Sequence, residues 1–585
     1  MQNKLAALRQ KMQEKGLDAY IVHASDAHQS EYIAAHWQTR AWLSGFTGSS
    51  GIVVVTATEA GLWTDGRYFV QANKELAGSG ISLFKMGEPG VPKYEEFLAD
   101  KLPQNSKLGF DGRVFSISGF ETLKENLSHK NITYHYNEDL AGELWTDRPS
   151  LPSGKAFAHD IKFTGKSLSE KLTVRAEMQK NRADVYLVAT LDDIAWFTNI
   201  RGFDTPNTPA VFSYLLIGME EAFLFVDKSK LEDIKLSDDI SVYPYEAIFE
   251  HLSKYANNKS LLYNTNGVSV SLFDAIPKTA KAIKGSNIIA GLKGIKNEVE
   301  IKNMRNAFTK EGVVMLRFAK WLSECKAEEL PDEVGVQNKV SALRLEMEHC
   351  IGDSFTTIAA YGENAALCHY SPKKETCSQL KPEGFLLLDT GGQYLDGTTD
   401  ITRTIVLGPI SDEMRKGFTL VLKAHIALAR AKFAQGAAGC HLDVIARQHM
   451  WEAGMDYKHG TGHGIGYCLG VHEGPHSIGQ NFNDTRLVPG MVCSNEPGLY
   501  NEGRFGIRSE TIILVKELEK NEYGNFLGFE TLTLFPYDLK AIDVSMLDEA
   551  EKAYLNAYHK MVYDKLLPHI TSEEAEWLRE ATKAI

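Results

Sequence analysis

GFLLLDTGGQYLDGTTDITRTIVLG, residues 384–408, reads as two apolar strands around a Thr-Gly-Gly turn, with Asp389 ending the first strand and Asp400 opening the second. A hairpin of this kind holds Asp389 and Asp400 across from each other. Two carboxylates beside aliphatic and β-branched runs repel unless one is protonated or a cation lies between them. MVCSNEPGLYNEGRFGIRSETIILV, residues 491–515, repeats the design around a Gly/Asn turn, with Glu496 ending one strand and Glu510 within the other. If the two hairpins are related by internal two-fold pseudosymmetry, four acids meet at one place.

Between the hairpins, KHGTGHGIGYCLGVHEGPH at 458–476 sets His459, His463 and His472 within fourteen residues. A four-residue spacing suits a zinc pair on a helix. Glycines at 460, 462, 464 and 466 point instead to a loop or irregular strand in which the backbone approaches something closely. Four carboxylates and an imidazole make a hard, oxygen-rich site that suits divalent ions such as Mn²⁺ better than a thiolate-seeking metal. The four carboxylates call for two divalent ions to balance them.

Upstream, KNEVEIKNMRNAFTKEGVVMLRFAKWLSE from 296 has the apolar spacing of one long helix or a broken pair, and the catalytic part begins there. MRKGFTLVLKAHIALARAKFAQ at 414–435 reads as a helix. The last sixty residues are helical again, with Thr571 and Glu574 forming a capping box. The first half contains one design twice. LAALRQKMQEKGLDAYIV at 5–22 and KLTVRAEMQKNRADVYLV at 171–188 each give an amphipathic helix, a polar break and a strand, with Met178, Asp184 and Tyr186 matching Met12, Asp18 and Tyr20. SLPSGKAFAHD near 150–160 is the expected linker.

At 585 residues the chain exceeds what one core supports. Its 43 % hydrophobic and 24 % charged residues place it among ordinary globular proteins. A net charge of −13 without a basic stripe argues against nucleic acid. No apolar run is long enough to span a bilayer, and the N-terminus lacks the apolar centre of a signal peptide, so a cytoplasmic protein with no membrane contact is expected. The seven cysteines all lie in the second half and form no CxxC pair, which fits free thiols in a reducing compartment.

The chain closely resembles the long, three-domain Xaa-Pro aminopeptidase (aminopeptidase P) family, within the creatinase/prolidase/methionine aminopeptidase superfamily. The resemblance runs over nearly the whole sequence and rests on DAHQSEYIA at 26–34, WTDGRYFVQA at 63–72, HYSP at 369–372, DGTTDITRT at 396–404, HGTGHGIG at 459–466, VHEGP at 471–475, EPGLY at 496–500 and FGIRSE at 505–510. It implies two similar creatinase-type α/β domains (1–155 and 156–295), a pita-bread α+β catalytic domain (296–525) and a helical C-terminal extension (526–585). By the same resemblance Asp389 binds one metal ion, Asp400 and Glu510 bridge both, and His463 and Glu496 complete the other. A hydroxide held between the ions attacks the bond before proline at position two, with Glu496 as base. His369, His459 and His472 line the substrate site, and Arg67 belongs to an N-terminal substrate-contacting motif. A homodimer through the catalytic or C-terminal region is implied.

Two positions depart from the family pattern. Asn495 stands where an acid is common, and Ser509 where an aliphatic residue is usual. Neighbours of a strand ligand point to the opposite face, so the metal site is expected to survive while local packing changes. A prolidase would keep the same ligands, but the duplicated N-terminal domains and the HGTGHGIG context at 459–466 favour the aminopeptidase. A metal-free, creatinase-like hydrolase or a non-catalytic binding module would have lost ligands, and none is lost.

Overall fold

The computed structural model describes residues 2–585, which group into two compact units, residues 2–159 with 166–289 and residues 160–165 with 290–585. The first unit repeats one topology. One sheet orders its strands Ser82–Lys85, Ala60–Thr64, Ile52–Thr56, Ala19–His23, Lys107–Phe110 and Thr133–His135. The other orders them Ser241–Tyr243, Ala222–Val226, Ser213–Gly218, Val185–Val188, Ser260–Tyr263 and Lys281–Lys284. In both, the second, third and fourth strands of that order pair antiparallel and every other neighbouring pair is parallel. The matched aspartates act alike: Asp18 accepts from Lys107 N at 2.7 Å and Asp184 from Ser260 N at 2.8 Å, each tying the central strand's start to its parallel neighbour. Met12 and Met178 are both buried under their sheets.

In the second unit a single unbroken helix spans Glu298–Glu324, its start fixed by Asn297 accepting from Val299 N and Glu300 N. Strand Phe385–Thr390 lies between Ile358–Tyr361 and Ile401–Val406, all antiparallel. Its side chains alternate as a strand requires. Leu386 and Leu388 enter the main core, whereas Leu387 packs on the opposite face with Ile358 and Ala360, the face that Asp389 shares by strand alternation. Each fully buried leucine contributes about 1.5–3 kcal/mol. A second sheet orders Phe433–Ala434, Gly524–Thr531, Thr511–Asn521, Val492–Asn495, Gly462–Gly464 and Glu473–Ile478.

Helices Asp412–Ala429, Gly439–Glu452 and Glu549–Leu566 contribute apolar faces to the core of this unit. The first of them stops at Ala429, short of the expected 435, because Phe433–Ala434 is taken up as an edge strand against Gly524–Thr531. The capping box at Thr571 and Glu574 opens the last helix, Ser572–Ala581. All seven cysteines are free thiols. Among the described residues no helix is long and apolar enough to cross a membrane.

Candidate metal centre

The first hairpin is more elaborate than a simple turn. Between its long strands the chain makes a short ladder, Gly392–Tyr394 with Gly397–Thr398, so Asp389 pairs with Thr402 and Asp400 lies two residues further along, a diagonal neighbour on the same face. A buried ion pair holds this excursion from behind. Arg344 pairs with Glu311 at 2.8 Å and donates to Thr390 Oγ1 at 2.7 Å, while Glu311 accepts from Tyr394 OH at 2.8 Å and Thr399 Oγ1 at 3.1 Å. Thr390 and Thr399 directly adjoin Asp389 and Asp400, so this network orients both acids.

In the second hairpin the ladder breaks where the glutamates fall. Asn495 pairs with Thr511 in the large sheet and Gly498 with Arg508 in a separate two-stranded one. The register places Glu496 opposite Glu510, and their backbone amides turn elsewhere. Glu496 N donates to Thr461 O at 2.8 Å and Glu510 N to Thr402 O at 3.1 Å. The second of these bonds stitches one hairpin to the other, as does Thr402 Oγ1 donating to Glu510 Oε2 at 2.7 Å. Arg403 extends the stitching into the C-terminal region. It donates to Glu510 O at 2.6 Å, Phe535 O at 2.6 Å and Pro536 O at 3.1 Å, and stacks on Tyr537.

His463 sits on a three-residue strand between two glycines that admit neighbouring backbone. A Cβ at Gly462 would meet Ser494 O at 2.0 Å, and one at Gly464 would meet Glu473 O at 2.0 Å. The structure brings Asp400, His463 and Glu510 together, with one ligand atom from each within 4.8 Å of the others. His463 Nε2 is 3.6 Å from Asp400 and 3.4 Å from Glu496. Oδ1 of Asp389, Oδ1 of Asp400 and Oε1 of Glu510 are buried without a hydrogen-bond partner. Three such carboxylate oxygens beside an imidazole fit a cation, since buried anionic oxygen is otherwise very costly.

Burial, then repulsion from the neighbouring acids, pushes Asp400 and Glu510 well above the usual carboxylate range and Glu496 to about 7. Burial holds His463 well below its ordinary value, helped by His472, His476 and His369, so it presents a neutral ring nitrogen. In the metal-free protein the folded carboxylates keep protons that the unfolded chain, titrating near 4, has already lost. That contribution to stability is present below the unfolded value and disappears as pH rises through the folded one. The melting temperature of chelated protein should therefore fall further below that of Mn²⁺-loaded protein on going from pH 5.5 to 8, as calorimetry would record. A gap independent of pH would contradict the clustering of charge.

The histidines expected at the substrate site also gather here. His472 stacks edge-on to His463 at 4.2 Å, and its segment is anchored by the buried Glu473, which pairs with Lys296 and lies 3.6 Å from Lys293. His459 Nε2 is 2.9 Å from Tyr500 OH, and burial followed by the nearby Arg508 lowers its pKa to about 3. His369 lies near enough to His463 to act on its charge. Arg67 is in the other unit, where it forms a two-pronged ion pair with Asp65 at 2.7 and 2.8 Å.

Sequence reasoning missed Arg508 and Tyr500. Arg508 is buried, donates to Asp389 Oδ2 at 2.5 Å and Tyr500 OH at 2.7 Å, and lowers the four acids' sum of −4 to −3, a charge that one divalent ion does not cancel. Its position two residues before Glu510 in a strand-like run puts it on the same face, and that alternation was the available signal. Asn495 and Ser509 point away from the acids. Asn495 Nδ2 donates to His425 O at 3.0 Å, and both side chains are almost wholly buried.

Comparison with known proteins accords with this geometry. Residues 302–517 match metallopeptidase family M24, 525–585 match the C-terminal region of that peptidase family, and 4–136 and 147–300 each match the creatinase/prolidase N-terminal domain. The chain is 40 % identical to a probable Xaa-Pro aminopeptidase P of Laccaria bicolor, covering 98 % of this chain and 92 % of that protein. It is 39 % identical to aminopeptidase P2 of Arabidopsis thaliana, covering 100 % and 88 %. The crystal structure of an X-prolyl aminopeptidase from Caenorhabditis elegans, described as a cytosolic enzyme with a di-nuclear active site, superposes with a TM-score of 0.93 at 33 % identity, covering 100 % and 99 %. With both N-terminal domains, the catalytic domain and the C-terminal region matched, and relatives aligned along almost their full length, the chain is a metallopeptidase that belongs to the Xaa-Pro aminopeptidase P family of M24 peptidases.

Proposed function

We propose that the protein removes the first residue of peptides whose second residue is proline, using two divalent ions, Mn²⁺ by the hardness of the donors, held by Asp389, Asp400, His463, Glu496 and Glu510. The observation that supports this most is the set of buried, unpartnered oxygens on Asp389, Asp400 and Glu510 beside a neutral His463. Such ions, when bound, would supply a hydroxide nucleophile at neutral pH, because bound water's pKa drops from about 15.7 towards 7.

The chain's own groups do the rest. Glu496, whose carboxylate lies 3.4 Å from His463 Nε2, is suited to take the proton of the attacking water and to hand it on to the leaving proline nitrogen. Neutral His459 and the His472 ring against His463 are suited to hold the substrate carbonyl and steady the charge that grows on its oxygen. Arg508 keeps Asp389 in place through a charge-assisted bond. An X-Pro bond offers no N–H, so selection must rest on the shape of the ring. His369 and Arg67 are assigned to the peptide, and a cytoplasmic homodimer with domains at 1–155, 156–295, 296–525 and 526–585 completes the proposal.

A panel of peptides varied at position two, assayed with Mn²⁺, with Zn²⁺ and with chelator, tests this reading. Turnover that survives exhaustive chelation would refute it. His472→Ala should keep both ions and lose about 10²–10³ in kcat, the usual cost of a positioned proton or oxyanion donor. A fall in metal content instead would make His472 a ligand.

A further inference from the structure

We propose that Glu333 is a positioning residue that holds the His369 segment over the metal centre, an inference that rests on the assignment of His369 to the peptide. Glu333 is the first residue of helix Glu333–Leu345 and is completely buried. Its carboxylate is directed entirely at one stretch of chain. Oε1 accepts from Tyr361 N at 2.7 Å, Oε2 accepts from Tyr370 OH and Ser378 N, each at 2.7 Å, and Asn364 Nδ2 reaches both oxygens at 3.1 Å. The backbone of Glu333 adds a bond from its N–H to Ser378 O at 3.1 Å.

These bonds take hold of segment 361–378 at its start, in its middle and at its end. His369 lies directly before Tyr370, the middle point. Ala365, within the segment, packs directly on the strand Phe505–Arg508 that carries Arg508, where a Cβ at Gly506 would meet Ala365 O at 1.7 Å. The helix N-terminus, with its positive dipole end, and the full set of donors make the buried carboxylate tolerable. Most of the segment is irregular, with a short 3₁₀ turn over Gly362–Ala366, so few ladder bonds fix its path. One carboxylate does the work that a strand partner does elsewhere.

A glutamine at 333 keeps the size but turns an amide NH₂ towards groups that are themselves donors, leaving at least one of Tyr361 N–H and Ser378 N–H unpaired. Glu333→Gln should lower kcat/KM on Arg-Pro-Pro by about 10–100-fold, the scale of a misplaced contact group, with metal content unchanged. Amide exchange should quicken over 361–378 and stay as it was in Phe385–Thr390. A double variant separates positioning from general weakening. If Glu333 acts through His369, Glu333→Gln added to His369→Ala should cost no more than about threefold further.

Full additivity of the two losses, or wild-type kcat/KM and exchange in Glu333→Gln, would overturn the proposal. Should Glu333→Gln fail to fold, Tyr370→Phe removes one bond and should show the same non-additivity with His369→Ala. If the wild-type protein does not cleave Arg-Pro-Pro, the functional reading fails. Exchange over 361–378 then still decides whether Glu333 holds the segment.

Discussion

Asp400→Asn should give a folded protein that no longer retains its metal and cleaves Arg-Pro-Pro at less than about a hundredth of the wild-type rate, beyond the roughly 10–100-fold typical of losses one shell further out. An amide offers one weak oxygen where two cations would share a charged one. Asp400 Oδ1 is buried without a partner, so no hydrogen bond is broken at that atom. The substitution should also raise the melting temperature of the chelated protein above that of chelated wild type at pH 8, because it removes a charge that burial and three neighbouring acids oppose. Opposite effects on metal-loaded and metal-free stability are hard to obtain from a residue with a merely structural part. Metal content by atomic absorption, turnover and calorimetry measure the three quantities. Full metal with more than about a tenth of normal activity would remove Asp400 from the bridging position.

The second large effect concerns the peptide. Arg-Pro-Pro should lose its arginine, and replacing the central proline by alanine should lower kcat/KM by about 10² or more. A hydroxide nucleophile is indifferent to sequence, so discrimination must come from the surface that receives the residue after the scissile bond. The dipeptide Gly-Pro should be a poor substrate, because contacts with the longer peptide, Arg67 among those proposed, support rate as well as affinity. Efficient hydrolysis of Gly-Pro with little action on Arg-Pro-Pro would make the protein a prolidase. Release of N-terminal methionine without proline would move it towards methionine aminopeptidase.

Much of the site was legible because its residues follow local rules. Asp389, Asp400, Glu496 and Glu510 announce themselves as acids at the ends of apolar runs, and the glycines around His463 predict the close backbone approach that Gly462 and Gly464 make. The repeated Met, Asp and Tyr positions of the first half carried the duplicated topology, down to the equivalent bonds of Asp18 and Asp184.

What escaped depends on partners far away in sequence. Glu311 and Arg344 look like ordinary polar residues of two helices until the hairpin excursion brings Thr390 and Thr399 against them. Nothing in the sequence around Glu333 marks it, and only the return of Ser378 to the helix start shows what it holds. The end of helix Asp412–Ala429 was overrun because the apolar period continues into residues that an edge strand claims.

Anomalous diffraction from crystals soaked in Mn²⁺ would locate the ions proposed for Asp389, Asp400, His463, Glu496 and Glu510. Two peaks roughly 3.5–4 Å apart are expected, one against Asp389, one against His463 and Glu496, with Asp400 and Glu510 touching both. A single peak in fully active crystals, or peaks away from these residues, would contradict a two-ion centre there.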